Sequence, residues 1–222
     1  MKLNIQQQLP FDLGIHSTTY KLSELLILFV LFPVGLTINF PFWIKFLLGV
    51  LGFTYVIIFL LKIEKNKFKI SQNIDWRNFW KATSVKLLVI IVVTLIYVWC
   101  TDNSQLFIVL RNKPLLWLII LFVYSFLSVY PQELLYRTFF FQRYQPLFKN
   151  EKLFIFLNAL IFALGHLFFK NALVIVLTFL GGLLFALTYN KTKSTLLVSI
   201  EHAIYGSWLF TVGMGSMLGF PS

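Results

Sequence analysis

The sequence contains few charged residues, very few acidic residues and a single cysteine. Charged residues make up 12% of the 222 positions, and only 8 residues are Asp or Glu. A soluble domain carries about 25% charged residues, so the composition excludes an ordinary soluble globular protein. Because Cys100 is the only cysteine, an intrachain disulfide and a CxxC metal knuckle are both excluded.

Apolar residues take the place of the missing charges. They form 59% of the chain, with a mean hydropathy of +0.82, whereas a soluble domain has about 45–50%. A fold of this size cannot bury such a surplus, which makes lipid the natural solvent.

The net charge of +11 would suggest nucleic acid for a soluble protein. Because Lys and Arg also collect in the cytoplasmic loops of membrane proteins, we expect the bilayer and no nucleic acid as the partner.

Seven stretches are long and apolar enough, or nearly so, to cross the hydrocarbon core as helices. They cover residues 23–40, 42–62, 84–101, 115–131, 153–169, 172–189 and 195–216. The first 20 residues lack the apolar core and cleavage site of a signal peptide. We therefore predict an all-α polytopic membrane protein with about seven transmembrane helices, forming a single membrane domain over residues 1–222.

Lys and Arg residues predict the orientation of these helices. With the N-terminus in the cytoplasm, 15 of the 19 Lys and Arg residues fall on the inner side. Positive residues favour the cytoplasmic side. The sequence therefore predicts a cytoplasmic N-terminus and, with seven spans, a C-terminus outside.

Ionisable residues within the predicted spans cost about 2.5–3.5 kcal/mol each on insertion scales, so those that persist need an explanation. Glu24, Lys45 and Lys86 lie close enough to span ends for their side chains to reach the interface. The others all fall in the second half of the chain: Glu133, Arg137, His166, Glu201 and His202.

The stretch "PQELLYR" follows the fourth predicted span. Glu133 and Arg137 are spaced i, i+4 and can pair along a helix. Pro131 is expected to kink or restart the helix. The pair could be a simple surface ion pair. If instead the helix continues through "TFFFQRYQPLF", Glu133 lies at mid-depth and Arg137 faces a cavity.

Two further polar groups occur in apolar helices. Asn158 and His166 are spaced i, i+8 in "NALIFALGHLFF" and share one helix face. In "LLVSIEHAIYGSW", His202 and Gly206 lie on one stripe, and Glu201 points about 100° away. Each segment alone could be explained by hydrogen bonds between packed helices.

The combination of these segments favours catalysis. Two histidines and two glutamates occur in three segments of a chain that has few other buried charges. Imidazole and carboxylate are ligands of catalytic zinc, which makes a bound water nucleophilic near neutral pH. His166, His202 and Glu133 are therefore the candidate zinc ligands. Glu133, with Glu201 in reserve, is the candidate base.

At these residues the chain resembles the CPBP intramembrane metalloproteases, the CAAX protease and bacteriocin-processing family, also called Abi. Its three motifs are EExxxR, FxxxH and HxxxN. They appear here in order as Gln132-Glu133-x-x-x-Arg137, Phe162-x-x-x-His166 and His202-x-x-x-Gly206. The resemblance covers about residues 115–216.

The resemblance implies a helical fold, an active site within the bilayer and an endopeptidase. Such enzymes cleave peptide bonds of lipid-modified proteins, for example after prenylated cysteines, or of leader peptides. It also implies a bacterial cytoplasmic membrane. In this interpretation His166 and His202 hold the metal or the water, and Arg137 orients Glu133 or binds substrate. Asn158 stabilises the oxyanion, and Gln132 binds substrate.

Two departures from the motifs leave alternatives open. The first motif Glu is Gln132, which cannot act as a base, and the last motif Asn is Gly206, which has no side chain. Glu133 could serve as the base, or Glu201 could supply the missing carboxylate. The chain could also be an inactive relative that acts as a membrane interaction or immunity protein. A small transporter is a third class, but no inverted halves are visible.

Overall fold

The computed structural model describes residues 14–64 and 74–219, and within these ranges the secondary structure is helical, with no strand. The helices are α1 Thr18–Gly35, α2 Phe42–Lys62, α3 Trp76–Asp102, α4 Ile108–Asn112, α5 Pro114–Leu147, α6 Glu151–Leu164, α7 Ala172–Thr192 and α8 Thr195–Val212. The predicted all-α membrane class is confirmed.

Six of the described helices are long and apolar enough to cross a membrane, one fewer than the seven spans predicted. The predicted seventh span forms α8, which is as long as α1. It is less apolar because it carries Glu201 and His202 next to each other. The exact count of seven is therefore not confirmed.

Large apolar side chains remain exposed on the outer helices, which fits a lipid solvent. Phe42 is 80% exposed on α2 and Trp99 is 67% exposed on α3. In water such faces would mark binding or aggregation surfaces. In a bilayer they are the ordinary contact with lipid chains.

Side-chain caps set where several helices begin. Asn150, Asn171 and Ser194 each accept a hydrogen bond from a backbone N–H in the first turn of α6, α7 and α8. These caps satisfy donors that a helix start leaves unpaired. Lys193 has a left-handed backbone (φ 49°) and ends α7 directly before the Ser194 cap. The connections are short, and α6, α7 and α8 consequently lie side by side.

The helix α5 is central to the fold and runs without a break through Pro131. Two π-helical stretches, Tyr124–Val129 and Leu134–Phe139, precede and follow this proline. Their wider turns change the backbone hydrogen bonding around a residue that has no N–H to donate. Of the kink or restart expected at Pro131, the restart does not occur. Of the two alternatives left open for this segment, the structure has the helix that continues beyond the proline.

The core of the protein surrounds the second half of α5. Phe139, Phe140 and Phe141 are all at most 2% exposed. Phe29 of α1 meets Phe140 edge-on at 5.1 Å, and Phe141 meets Tyr189 of α7 at 4.9 Å between ring centroids. Aromatic pairs of this kind contribute about 0.5–1.5 kcal/mol each beyond area burial. The three phenylalanines face protein on several sides, and polar residues on the same helix are consequently also enclosed.

Candidate active site

One close contact between predicted site residues joins His202 of α8 to Glu133 of α5. The His202 Nδ1 atom lies 2.7 Å from Glu133 Oε1. Glu133 is fully buried, and His202 is 6% exposed. With the carboxylate beside it, Nδ1 carries the proton and donates, which leaves Nε2 as an acceptor. Within residues 14–64 and 74–219, no protein group bonds to this Nε2.

Aromatic rings hold the His202 imidazole in place. Phe185 stacks on it at 4.3 Å, and Tyr124 and Phe162 meet it edge-on at 5.9 and 5.7 Å. The ring therefore has little rotational freedom. Glu133 and the three aromatic side chains together determine the direction in which Nε2 points.

Arg137 compensates the buried charge of Glu133. Its Nε atom lies 3.3 Å from Glu133 Oε2, although the contact lacks hydrogen-bond geometry and leaves both atoms without a hydrogen bond. The rest of the guanidinium bonds to Asn158 Oδ1 and more weakly to the Gly182 carbonyl at 3.4 Å. An opposite charge this close offsets part of the cost of burying the carboxylate.

Asn158 lies behind Arg137 and is not among the described residues that line the nearby cavity. The side chain is fully buried, and its amide donates to the Tyr136 carbonyl at 2.7 Å while its oxygen accepts from Arg137. Both ends of the amide are thus occupied by protein. The expected role of Asn158 as an oxyanion donor does not fit this position, and the residue instead orients Arg137.

His166 lies just beyond the end of α6, in a turn between α6 and α7. Its Nδ1 atom is 2.8 Å from the Phe162 carbonyl, and its ring packs on Phe162 and Phe169. Gly165 permits this turn because a Cβ there would collide with the Tyr136 hydroxyl. A proton on Nδ1 again leaves Nε2 as the acceptor.

A cavity of about 740 Å³ connects these groups. Apolar side chains form most of its wall, and the polar members include Tyr124, Gln132, His166 and His202. Gln132 donates to Ser128 Oγ at 2.8 Å, and its own carbonyl oxygen is buried without a partner. The structure thus brings both histidines and Gln132 to one cavity.

The charged residues of the motifs lie behind this wall, because the described lining includes neither Glu133 nor Arg137. Glu133 therefore acts on the cavity through His202. Gln132 and Glu133 point about 100° apart on one helix, but the helix period does not state which of the two directions faces the cavity.

Glu201, expected as a reserve base, is used elsewhere. It is fully buried, lies 2.7 Å from Lys86 Nζ of α3 and accepts from the Tyr205 hydroxyl at 2.9 Å. Lys86 also donates to Thr188 of α7 at 3.3 Å. The pair ties α3 to α8, which corrects both the expected base and the expected surface position of Lys86.

A third ion pair, between α1 and α5, was not anticipated. Glu24 of α1 is 2.7 Å from Arg143 Nε on α5 and accepts from the hydroxyls of Tyr55 and Tyr144. Glu24 thus lies inside the protein and does not extend to the interface. Its partner is more than one hundred residues away in the chain, and no local pattern indicates such a pairing.

The predicted zinc ligands do not form one coordination set. No group of three His, Cys, Asp or Glu side chains in the described ranges could hold a metal ion. The reason is visible at Glu133, whose oxygens face His202 and Arg137. Two imidazoles without a third ligand do not match a catalytic zinc site, so the residues present do not fit the metal.

Comparison with known proteins supports the motif assignment. Residues 114–219 match the family model described as type II CAAX prenyl endopeptidase Rce1-like. The comparisons with curated proteins and with solved structures gave no match. The matched segment is just under half of the chain and contains α5 to α8, with every candidate site residue named above. On this match and the three motifs, the segment 114–219 is similar to the CPBP/CAAX protease family.

Proposed function

We propose that this protein is an intramembrane endopeptidase in which a Glu133–His202 dyad activates water. The observation that carries the proposal is the 2.7 Å contact of His202 Nδ1 with the buried Glu133. It leaves the opposite ring nitrogen free at the cavity. A CAAX-type protease family and an apolar, membrane-embedded fold support the same class of activity.

In the proposed reaction, His202 Nε2 takes a proton from water as the water oxygen attacks the scissile carbonyl carbon. The Glu133 carboxylate stabilises the imidazolium that forms, as a buried acid does in other carboxylate–histidine dyads. The tetrahedral intermediate then breaks its C–N bond, and His202 returns the proton to the leaving amine. Arg137 holds a positive charge beside Glu133 throughout. His166 Nε2 is a second acceptor that can hold the water.

The proposed substrate is a peptide bond of a membrane-associated or lipid-modified protein, or of a leader peptide. The mostly apolar cavity can take a hydrocarbon chain next to the polar groups. The family description names prenyl substrates, which makes a prenylated peptide the first probe. We further propose a bacterial cytoplasmic membrane with the N-terminus inside, on the charge bias of the loops.

The alternative is a catalytically inactive relative that acts as a membrane interaction or immunity protein. Gln132 favours it, because an amide stands at the cavity wall where the motif has a carboxylate. The dyad proposal predicts that Gln132→Glu changes turnover by less than about tenfold, the factor worth 1.4 kcal/mol. Activity that appears only in Gln132→Glu would favour the inactive relative.

The deciding experiment uses the full chain in proteoliposomes with a farnesylated CAAX-type peptide and measures cleavage by mass spectrometry. His202→Ala and His166→Ala are each expected to abolish cleavage. His16→Ala is the matched control, since His16 is the third histidine of the chain and is exposed. Full activity in His202→Ala would contradict the dyad.

A further inference from the structure

Gly206 of α8 and Tyr124 of α5 meet in a tight contact beside the dyad. A Cβ atom added to Gly206 would overlap the Tyr124 hydroxyl and the ring carbons next to it. Within a helix, glycine costs about 1 kcal/mol relative to alanine. The presence of glycine at position 206 is therefore explained by the space that a missing side chain leaves. The Tyr124 hydroxyl fills that space.

This hydroxyl lies one helical turn from His202 along α8, because Gly206 follows His202 at i+4. The Tyr124 ring meets the His202 ring edge-on at 5.9 Å and packs on Phe210 at 4.8 Å. The ring is 8% exposed and lines the cavity. Tyr124 is thus a rigid neighbour of the proposed reacting centre.

Other polar cavity groups already use their protons on protein acceptors. Gln132 donates to Ser128, the Thr94 hydroxyl donates to the Ile90 carbonyl, and the Tyr205 hydroxyl donates to Glu201. For Tyr124, no hydrogen-bond partner is found among residues 14–64 and 74–219. Buried phenols usually have one, so the proton of this hydroxyl is available to a group that enters the cavity.

Tyr136 is the other cavity phenol without a hydroxyl partner in the described part of the chain. Its hydroxyl abuts Gly165, next to His166, and its ring packs on Phe162. Only Tyr124 of the two places its ring on His202. The two tyrosines therefore form a natural comparison pair, with the same chemistry in the wall of one cavity.

We propose that the Tyr124 hydroxyl donates a hydrogen bond to the scissile carbonyl oxygen as that oxygen becomes negatively charged. This inference rests on the proposed peptidase function. Water forms the new C–O bond, and the oxyanion accepts the hydrogen bond from Tyr124. The phenol keeps its proton throughout, while His202 carries the transferred one. Removing a single oxyanion donor typically costs about 10²–10³-fold in kcat.

The test compares Tyr124→Phe with Tyr136→Phe and with Tyr130→Phe, a change on the exposed face of α5. Steady-state kinetics use the full chain and the farnesylated CAAX-type peptide. For Tyr124→Phe we expect kcat to fall about 10²-fold with KM within about threefold, because the bond forms only in the transition state. Tyr136→Phe should lose less than about tenfold, and Tyr130→Phe should match the unsubstituted protein.

The outcomes separate this inference from the proposed function. If the unsubstituted protein cleaves the peptide but Tyr124→Phe retains its kcat, only the Tyr124 role is overturned. Equal losses in Tyr124→Phe and Tyr136→Phe, or a raised KM with normal kcat, would also overturn it. If the unsubstituted protein cleaves neither this peptide nor a leader peptide, the proposed function fails and the Tyr124 role fails with it. Thermal unfolding in detergent checks that each variant is folded.

Discussion

Replacing Glu133 with glutamine tests the dyad most directly, because glutamine keeps the size of the side chain and removes its charge. Glu133 is fully buried, 2.7 Å from His202 and 3.3 Å from Arg137. In Glu133→Gln, Arg137 becomes a buried cation with only neutral acceptors, chiefly Asn158. Breaking one side of a buried ion pair costs about 3–5 kcal/mol. The free energy of unfolding should fall by that amount.

The same change should also lower the rate of peptide cleavage. A neutral amide cannot stabilise the imidazolium of His202. It can also present its N–H₂ group to Nδ1, which would favour the wrong tautomer. The corresponding acid-to-amide change in a Ser-His-Asp triad costs about 10⁴-fold in kcat. We therefore expect cleavage of the farnesylated peptide by Glu133→Gln to fall by about 10³–10⁴-fold.

A double-mutant cycle separates the two effects. Arg137→Met removes the opposite charge, so Glu133→Gln/Arg137→Met should recover at least about 1 kcal/mol of the summed single losses. Unfolding would be followed by intrinsic tryptophan fluorescence in detergent, and cleavage by mass spectrometry. The double variant should regain stability and remain inactive. A Glu133→Gln variant that keeps both its unfolding free energy and at least a tenth of its activity would refute the reasoning.

Three further predictions concern packing, the second ion pair and the metal. Gly206→Ala should destabilise the protein by about 1–3 kcal/mol through overpacking against Tyr124, whereas Gly49→Ala, with open space around it, should be neutral or stabilising in the same unfolding measurement. The double variant Lys86→Met/Glu201→Gln removes the α3–α8 ion pair and should retain turnover in the peptide assay, a result that a base role for Glu201 would not allow. Prolonged treatment with a zinc chelator should leave the rate of peptide cleavage unchanged, because no three-ligand set assembles at the described histidines. Loss of activity that is recovered on adding zinc would contradict this prediction.

Local patterns in the chain were sufficient for the class of protein and for its motifs. Long apolar runs with few charges can be satisfied only by helices in lipid, and the six candidate spans agree with that expectation. The i, i+4 spacing of Glu133 and Arg137 predicted their ion pair, which the structure confirms. The continuation of α5 beyond Pro131 followed from the apolar stretch after it.

Interactions between distant segments could not be found in this way. Glu24 with Arg143 and Lys86 with Glu201 are each separated by more than one hundred residues. Glu24 and Lys86 looked like residues near a span end, and Glu201 looked like a spare catalytic group. A helix period states which residues share a face, but it does not state which helix that face meets.

The sequence by itself determined the membrane class, the order of the three motifs and the pairing of neighbours along one helix, because these depend on composition and local spacing. Only the tertiary structure decided which polar groups reach the cavity. It placed Glu133 behind His202, Asn158 behind Arg137 and Tyr124 in the space left by Gly206. The physical reason is that these roles depend on how α5, α6 and α8 pack against each other, and that packing joins residues far apart in the chain.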